Sequence, residues 1–579
     1  MPVRVVAWLA LLLLASGTAC AQEQHAPEHP AGWIAKRPVT ARHDMVAAAN
    51  PLAVAAGREM LREGGTAIDA AVAAQMVLNL VEPQSSGVGG GAFMLFHNGH
   101  NGLLTAYDGR ETAPAAAKPD RFLDANGKPL AFYDAVVGGR SVGVPGTLRM
   151  LELAHRQYGR LPWPRLFAPA IALAERGFPV SPRLNSEIAG ERHMMQARAR
   201  AYFHHADGTP LAVGETLANP AFAATLKRIA EEGADALYKG EIARDIVETV
   251  RSYAADPGDL TEDDLAAYRA KVREPVCGRY RGYRICGMPP PSSGGIAVLQ
   301  MLGMVERFDL HALGPGSALA WHLFSEAGRL AYADREVYVG DPDFVAVPPG
   351  LLDPAYLRQR SSLIRIDASL GRAAPGVPPA RRKVAAAGAG AALEFPSTSH
   401  LSIVDRDGNA VAMTTTIEDS FGSRLMTASG FLLNNELTDF SFAPLAGGRP
   451  VANRVEPGKR PRSSMAPTVV YDAKGRLYMI VGSPGGSAII NYVAKTLVGV
   501  LDWRLDPQAA IDLPNIGSRN GPTELERDTS AVALQRKLQA LGEETSVMDE
   551  NSGLQAIVRA KEGWIGGADP RREGVAAGD

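Results

Sequence analysis

The sequence predicts a mixed α and β fold for this chain of 579 residues. Segments with helical spacing dominate residues 147–270, whereas residues 398–482 contain several short runs that are typical of strands. The 60 glycines and 41 prolines are more than a helical bundle needs and indicate many tight turns. Because the chain is too long for one small core, we expect two or three packed units or one large layered fold.

Composition and charge exclude several classes of protein. Hydrophobic residues make up 46% of the chain and charged residues 21%, which is ordinary for a globular protein. The net charge is −2 at pH 7, so no basic excess indicates binding to nucleic acid. After the N-terminus, no uncharged apolar segment reaches the roughly 18 residues of a membrane-spanning helix, so we expect no membrane span.

The N-terminus has the pattern of a secretory signal peptide. A positive start, a short apolar stretch at residues 7–15 and small residues around Cys20 predict a signal peptide over residues 1–21. The mature protein is then expected to be periplasmic or secreted. Cys20 leaves an alternative open, a lipoprotein anchored through that cysteine, although Gly17 stands where such signals usually have leucine.

Helical spacing and stop signals organise the first half of the chain. A glycine-rich loop at residues 83–91 leads into a predicted strand at 92–96. Because no Lys-Ser/Thr pair and no helix follow this loop, it does not predict phosphate binding. Helices are predicted at residues 51–63, 68–80, 148–158, 163–176, 221–232, 242–253 and, after a rigid loop at 289–295, 296–308.

Residues 371–397 differ from the rest because alanine, glycine, proline and arginine dominate without an apolar period. We expect an exposed and mobile linker there. The segment after it is strongly β, and a helix follows at residues 492–502. Strands are predicted at residues 400–405, 409–416, 430–433, 468–471 and 477–482.

Two cysteines follow the predicted signal peptide. Cys277 and Cys286 each lie in a strand-like run, with a turn at residues 281–282 between them. In an oxidising compartment they could form a disulfide across a hairpin, and two reduced structural thiols are the alternative. Their spacing does not match a zinc site.

The junction of linker and sheet holds a candidate nucleophile. Ser399 precedes His400, but adjacent strand residues point to opposite faces, so His400 is badly placed as a base for Ser399. The chain also has no G-x-S-x-G elbow. A threonine can instead be activated by its own α-amine, which would require a cut between Ser397 and Thr398.

Hairpin geometry gives Thr398 a neighbour. Residues 406–408 fit a three-residue loop with Gly408 in the left-handed position. Counting outward from this loop, Thr398 is opposite Thr416, at a Cβ separation of about 4.5–5.5 Å. The simpler interpretation is that both threonines are only strand formers.

Six motifs in one order make the chain resemble the γ-glutamyltransferases. The run from Thr398 to Ala412 resembles the processing-site segment of that family, and the resemblance covers nearly the whole mature chain. The other motifs are residues 108–111, 289–295, 431–441, 459–465 and 482–487.

The resemblance implies an α+β fold, the four-layer αββα N-terminal-nucleophile (Ntn) hydrolase sandwich, formed jointly by two subunits. It also implies a precursor that is cut between Ser397 and Thr398. Residues 22–397 would form the large subunit, ending in the linker 371–397. Residues 398–579 would form the small catalytic subunit, so one chain yields a heterodimer.

The resemblance assigns catalytic roles to four residues. Thr398 aligns with the nucleophile, and Thr416 aligns with the threonine that orients it, in agreement with the hairpin count. Gly485 and Gly486 align with the backbone donors of the oxyanion hole, where each donor is worth about 3–4 kcal/mol.

It also assigns a substrate site. Arg110, Ser463 and Ser464 align with the clamp on the substrate α-carboxylate, and an arginine fork suits a planar carboxylate. Glu436 and Asp439 align with the residues that hold the α-ammonium. The arginine thus matches the negative carboxylate of the substrate, and the two acids match its positive ammonium.

The sequence departs from the family pattern at three places, of which the change at Ser399 is mild and the other two bear on acceptor specificity. Ser399 stands where threonine is usual. Glu418 stands where several relatives carry asparagine near the ammonium, so it adds a carboxylate to that group. The segment 442–458, which covers the site in relatives, has no tyrosine and is shorter than in many of them, which predicts a more open site.

The implied activity is γ-glutamyl transfer and glutathione hydrolysis without metal or cofactor. Donors would be glutathione and other γ-glutamyl compounds, and acceptors would be water, amino acids or peptides. One alternative is a glutaryl-type β-lactam acylase on the same fold, in which Glu436 and Asp439 would have no cation to hold. The other is a non-catalytic periplasmic binding protein.

Overall fold

The computed structural model describes residues 32–379, 387–390, 394 and 397–579. The predicted signal peptide at residues 1–21, with Cys20, lies outside them and stays a prediction. Among the residues described, no helix combines the length and the apolarity that a membrane crossing requires.

Two seven-stranded antiparallel sheets form the centre of the fold. In spatial order, the first sheet contains Val575–Gly578, Met45–Ala48, Thr398–Val404, Ala410–Thr416, Gly91–His97, Leu104–Gly109 and Lys271–Arg273. The second contains Val39–Ala41, Trp564–Ala568, Gln555–Arg559, Leu477–Gly482, Thr468–Tyr471, Tyr283–Gly287 and Val276–Tyr280. Both sheets combine strands from before and after Thr398.

Helices cover the outer face of each sheet and complete the four layers. The helices packed on the first sheet include Pro51–Arg62, Ala67–Val81, Thr147–Tyr158, Ala168–Arg176, Pro220–Glu232 and Gly240–Ser252. Those on the second include Gly294–Val305, Ala318–Tyr338, Ile489–Leu501 and Pro507–Asp512. The αββα order agrees with the predicted fold class.

The remaining elements are short. Helices lie at Phe132–Val136, Pro182–Gly190, Ala197–Phe203, Asp235–Tyr238, Glu262–Ala267, Leu310–Leu313, Pro354–Ser361 and Gln535–Ala540. Strands outside the two sheets lie at Phe178–Pro179, Thr216–Leu217, Leu445–Ala446, Arg449–Pro450, Ile516–Gly517, Thr523–Glu526 and Thr545–Met548.

Side chains alternate along the strand Thr398–Val404, so its two faces have different surroundings. Leu401 and Ile403 are fully buried against the first helical layer. Burying each such side chain contributes about 1.5–3 kcal/mol. His400 and Ser402 point towards the second sheet, where Ser402 Oγ donates to the carbonyl of Gln555 at 3.1 Å.

The predicted strand at residues 430–433 is wrong. These residues form only an isolated bridge, Met426 with Leu432, and pack against the glycine-rich loop. A Cβ atom on Gly89 would lie 2.2 Å from the carbonyl oxygen of Leu432. The segment therefore follows the loop closely instead of joining a sheet.

The predicted exposure of the linker 371–397 is correct only in part. Val377 is 86% exposed, but Glu394 and Ser397 are buried. Residues 380–386, 391–393 and 395–396 lie outside the described residues. The burial of Glu394 has a specific cause, since its carboxylate binds an arginine and a serine inside the chain.

Cys277 and Cys286 are opposite each other on neighbouring strands and form a disulfide. This hairpin is at one edge of the second sheet. Of the two arrangements that the sequence left open, the structure has the bonded one.

Candidate active site

The hairpin register places the two candidate threonines side by side. Thr398 pairs with Thr416 across the strands Thr398–Val404 and Ala410–Thr416. The amide of Asp405 donates to the carbonyl of Asn409 at 3.0 Å, and Gly408 has φ of 80°, as a three-residue loop requires. The predicted register is confirmed.

The hydroxyl of Thr416 connects the candidate nucleophile to the bond that it would attack. The Thr398 hydroxyl donates to Thr416 Oγ1 at 3.3 Å, and Thr416 Oγ1 donates to the carbonyl oxygen of Ser397 at 2.8 Å. The amide of Glu418 donates to the same hydroxyl at 2.8 Å. A donor aimed at the Ser397 carbonyl polarises it towards nucleophilic attack.

Two further contacts fix the junction. Ser397 Oγ donates to the carbonyl of Gln84 at 2.7 Å. Arg572, which is fully buried, donates to the carbonyl oxygen of Thr398 at 3.1 Å. Sequence reasoning missed Arg572, because a contact across 174 residues leaves no local pattern.

A Ser–His pair is absent from the described junction. Ser399 Oγ donates to Glu82 at 2.7 Å, on the opposite face from His400. His400 Nδ1 lies 2.8 Å from Thr414 Oγ1, and burial lowers the pKa of His400 to about 3. A neutral, enclosed imidazole of this kind stabilises the sheet and does not activate Ser399.

One small cavity brings most of the predicted site residues together. Its free volume is about 20 Å³. Ser397 and Gly485 are adjacent to lining residues, whereas Cys277 and Cys286 lie on the edge hairpin. The lining comprises Arg110, Glu394, Thr398, Thr416, Glu418, Glu436, Asp439, Ser463, Ser464, Met465, Gly486 and Ile489.

Arg110 is held by the two acids that were predicted to bind an ammonium group. Its guanidinium, 1% exposed, donates to Glu436 and Asp439, which a single 3₁₀ turn brings together. It also donates to the carbonyls of Pro461 at 3.1 Å and Arg462 at 2.9 Å. Arg110 therefore orients both acids towards the cavity.

The cavity contains more acid than base. Burial raises the pKa of Glu418 well above its ordinary value, and the neighbouring Asp439 adds to the effect. Burial likewise raises the pKa of Glu436 and of Asp439, although Arg110 opposes the shift in both. Three buried carboxyl groups with raised pKa values form a site that a ligand cation would stabilise.

The two predicted clamp serines are linked to residues outside the predicted site. Ser464 Oγ accepts from Arg335 Nη2 at 2.7 Å and donates to Glu394. The carbonyl of Ser463 accepts from the amide of Ser293 at 2.8 Å. Arg335 lies on the helix Ala318–Tyr338, whose nearly all-round burial hides it from a search for amphipathic spacing.

Gly485 and Gly486 lie where the strand Leu477–Gly482 turns into the helix Ile489–Leu501. Their φ values are 136° and 54°, in the region that favours glycine. A Cβ atom on Gly485 would lie 2.4 Å from the ring of Tyr492. The turn thus needs a glycine, and Gly486 exposes its backbone to the cavity beside Thr398.

A separate buried cluster has the residue types of a metal site. His322, Glu326 and Glu543 offer ligand atoms within 4.8 Å of one another. However, Arg329 donates to both glutamates, and His322 Nε2 lies 2.8 Å from the carbonyl of Arg365. Arg329 already pairs with both acids, so the cluster fits an ion-pair network better than a metal centre.

Known proteins resemble this chain over most of its length. A family profile described as gamma-glutamyltranspeptidase matches residues 53–579. The glutathione hydrolase proenzyme of Bacillus subtilis (strain 168) is 39% identical, covering 99% of this chain and 98% of that protein. The acylase ACY 1 proenzyme of Pseudomonas sp. (strain V22) is 37% identical over 85% of each chain.

A solved structure supports the same grouping. The cephalosporin acylase from Bacillus halodurans superposes with a TM-score of 0.81 at 28% sequence identity. The alignment covers 94% of this chain and 97% of that one.

Proposed function

The chain belongs to the γ-glutamyltranspeptidase family, and from this premise we propose that it hydrolyses glutathione and transfers γ-glutamyl groups to amines. The observation that carries the proposal is the cavity, in which a Thr398–Thr416 pair faces three buried acids and an arginine. This arrangement suits a substrate with an α-ammonium, an α-carboxylate and a reactive γ-amide.

Maturation would begin at the bond between Ser397 and Thr398. Thr398 Oγ1 attacks the Ser397 carbonyl carbon while Thr416 holds the carbonyl oxygen at 2.8 Å. The C–N bond breaks, the nitrogen takes up a proton as the free amine of Thr398, and Ser397 remains as an ester on Oγ1. Water then hydrolyses the ester, which frees the Ser397 carboxylate and the Thr398 hydroxyl.

The new amine would act as the general base in catalysis. An α-amine has a pKa of about 7.7–8.0, so it is partly neutral near pH 7 and can accept the Thr398 hydroxyl proton. Oγ1 attacks the γ-carbonyl carbon, the backbone at Gly485 and Gly486 stabilises the oxyanion, and the amine product leaves with the proton. Water or an acceptor amine resolves the γ-glutamyl ester.

Charge matching would select the substrate. Glu418, Glu436 and Asp439 hold the α-ammonium, while Arg110 with Ser463 and Ser464 recognises the α-carboxylate. The raised pKa values mean that these acids keep their protons to a higher pH than ordinary carboxyl groups do, and a bound ammonium favours the ionised acids. We therefore expect donor binding to release protons and to strengthen as the pH rises through the raised pKa values of these acids.

The two products of the cut would stay together. Residues 22–397 and 398–579 both contribute strands to each central sheet, so separating them would break backbone ladders in both. The mature protein is thus a heterodimer of a large and a small subunit derived from one chain.

Release of p-nitroaniline from γ-glutamyl and from glutaryl anilides tests the function. The ACY 1 and cephalosporin acylase relatives make acylase activity the second candidate. The two anilides differ in the α-ammonium, which only the first carries. Preference for the γ-glutamyl anilide supports the proposal, preference for the glutaryl anilide supports an acylase, and binding without turnover supports a non-catalytic protein.

A further inference from the structure

The ring of Tyr492 lies against the turn that carries Gly485 and Gly486. A Cβ atom on Gly485 would lie 2.4 Å from this ring, so the ring limits where the Gly485 backbone can lie. Tyr492 is buried and stands in the helix Ile489–Leu501, which begins three residues after Gly486. The position of this ring therefore bears on the backbone amides beside Thr398.

The hydroxyl of Tyr492 is held by a carboxyl group. It donates to Glu550 Oε2, and both residues are buried. Burial raises the pKa of Glu550 to about 8, with Glu524 adding to the rise and Arg519 opposing it. A carboxyl group that is shielded from water in this way makes a stronger hydrogen bond than an exposed one. The bond thus fixes the ring against Gly485.

The residue that follows the glycine pair is anchored separately. The carbonyl of Ser487 accepts from the hydroxyl of Tyr332, and Ser487 Oγ accepts from Arg519 Nη1 at 2.8 Å. Tyr332 comes from the helix Ala318–Tyr338, so this second anchor belongs to a distant part of the chain. The glycine pair therefore lies between two anchored points, the ring of Tyr492 and the backbone of Ser487.

Residues 550–553, which we call the support segment, connect this turn to the candidate nucleophile. The first residue of the support segment holds Tyr492. The carbonyl of Asn551 accepts from Arg572 at 3.2 Å, and Arg572 also donates to the carbonyl of Thr398 at 3.1 Å. All four residues of the segment are buried. One buried segment thus supports both the glycine turn and the backbone of Thr398.

We propose that Tyr492 and Glu550 are positioning residues, which hold the backbone amides of Gly485 and Gly486 where the oxyanion of the reaction forms. The inference rests on the proposed function and adds to it two residues that lie outside the cavity lining. An oxyanion forms both when the γ-glutamyl ester is made and when it is resolved, so the pair acts on both steps. It stabilises the transition state and adds nothing to ground-state binding.

Removing the Tyr492–Glu550 bond from either end tests this role. Tyr492→Phe keeps the ring and Glu550→Met keeps the tyrosine, so each removes the same hydrogen bond. We expect each to lower kcat for γ-glutamyl anilide about tenfold with KM within about twofold, a part of the roughly 100-fold that losing an oxyanion donor costs. Glu550→Gln, whose amide oxygen still accepts from Tyr492, should retain kcat within about threefold. Tyr492→Phe/Glu550→Met should be no slower than either single variant.

Tyr280→Phe is the matched control. The hydroxyl of buried Tyr280 also donates to a carboxylate, Asp502, at 2.6 Å, but this tyrosine lies on the edge hairpin outside the cavity lining. Tyr280→Phe should lose comparable stability in urea and keep kcat within about twofold of wild type. An equal loss of kcat in Tyr280→Phe and Tyr492→Phe would mean that lost stability causes the effect, which would overturn the proposal.

Two inhibitors separate positioning from substrate binding. The boronate analogue of glutamate has a boronic acid in place of the γ-carboxyl group, and Thr398 Oγ1 adds to its boron to give a tetrahedral anion. L-Norvaline keeps the α-ammonium and the α-carboxylate but has no oxygen for the turn. In Tyr492→Phe the Ki of the boronate should rise about tenfold and that of L-norvaline should stay within about twofold. Equal changes in the two Ki values would contradict the proposal.

The outcomes separate this inference from the proposed function. Wild-type protein that stays uncut or releases no γ-glutamyl product would defeat the proposed function itself. Wild-type activity together with an unchanged kcat in both Tyr492→Phe and Glu550→Met would defeat only the positioning role.

The cut itself provides a last check. Tyr492→Phe should be cut at the wild-type rate, because Thr416 supplies the donor to the Ser397 carbonyl. A folded Tyr492→Phe chain that stays uncut would contradict the proposal. If Tyr492→Phe does not fold, Glu550→Met tests the same bond by kcat and by the two Ki values, with the same expected changes.

Discussion

The side-chain oxygens of Thr398 and Thr416 lie 3.3 Å apart, and the second of these hydroxyls also donates to the Ser397 carbonyl at 2.8 Å. One hydroxyl thus touches both the attacking oxygen and the attacked carbonyl. The hairpin register that creates this contact was readable from the sequence, because Gly408 fixes the loop and side-chain alternation fixes the faces.

Removing the Thr416 hydroxyl should slow self-cleavage. We expect Thr416→Val to lower the cutting rate by about 100-fold, because one lost donor to a developing oxyanion costs about 3 kcal/mol. Thr416→Ser should retain most of the rate. A time course of small-fragment appearance, followed by intact mass, measures both rates.

The neighbouring Thr415 provides the control for this prediction. Its buried hydroxyl has no hydrogen-bond partner among the described residues, so Thr415→Val removes a polar atom without removing a contact. It should cut at the wild-type rate. Equal slowing in Thr415→Val and Thr416→Val would mean that packing, and not the hydroxyl, controls the cut.

Neutralising Glu418 should stabilise the protein while weakening substrate binding. Burial raises the folded-state pKa of Glu418, so ionising it costs folding free energy. The stabilisation that comes from the raised pKa of Glu418 is fully present below the unfolded-state pKa. This stabilisation is lost as the pH rises from there towards the raised folded-state pKa. Glu418→Gln should therefore increase the unfolding free energy at neutral pH by about 1 kcal/mol.

Urea unfolding at several pH values measures this stability change, and anilide kinetics measure the functional cost. We expect KM to rise about tenfold, because an ionic partner of the α-ammonium is lost. Exposed Glu231→Gln is the comparison variant and should change neither quantity. A Glu418→Gln protein that is less stable at neutral pH would refute the predicted sign.

Breaking the disulfide should affect stability and leave catalysis intact. Cys277 and Cys286 clip an edge hairpin outside the cavity lining, and a short closed loop of this kind contributes about 2–3 kcal/mol. Cys277→Ser/Cys286→Ala should unfold at lower urea concentration with kcat/KM within about twofold of wild type. Reductant should reproduce the effect in wild type and add nothing in the variant.

The sequence predicted the sheet hairpin and most amphipathic helices because both have a local period. One helix was not predicted and one strand was predicted wrongly, and both errors have physical causes. The helix Ala318–Tyr338 is buried on nearly all sides, so it lacks the apolar stripe that marks a surface helix. The segment 430–433 has strand-like residues but packs against Gly89, a contact between distant residues.

Site residues were likewise predicted where a local sequence pattern marks them, and missed where only the fold brings them together. Arg110, Glu436 and Asp439 were found because they stand in motifs that resemble a family. Glu394 was missed because its segment has a linker composition, and Arg335 because its helix was missed. Only the three-dimensional structure brings these two side chains to Ser464.

N-terminal sequencing of the small fragment from purified protein, beside the Thr398→Ala variant, tests the central claim most directly. We predict a fragment that begins Thr398-Ser399-His400-Leu401 in the wild type and a single uncut chain in the variant. An uncut wild-type protein, a different first residue, or a Thr398→Ala chain that still cuts would contradict the assignment of Thr398.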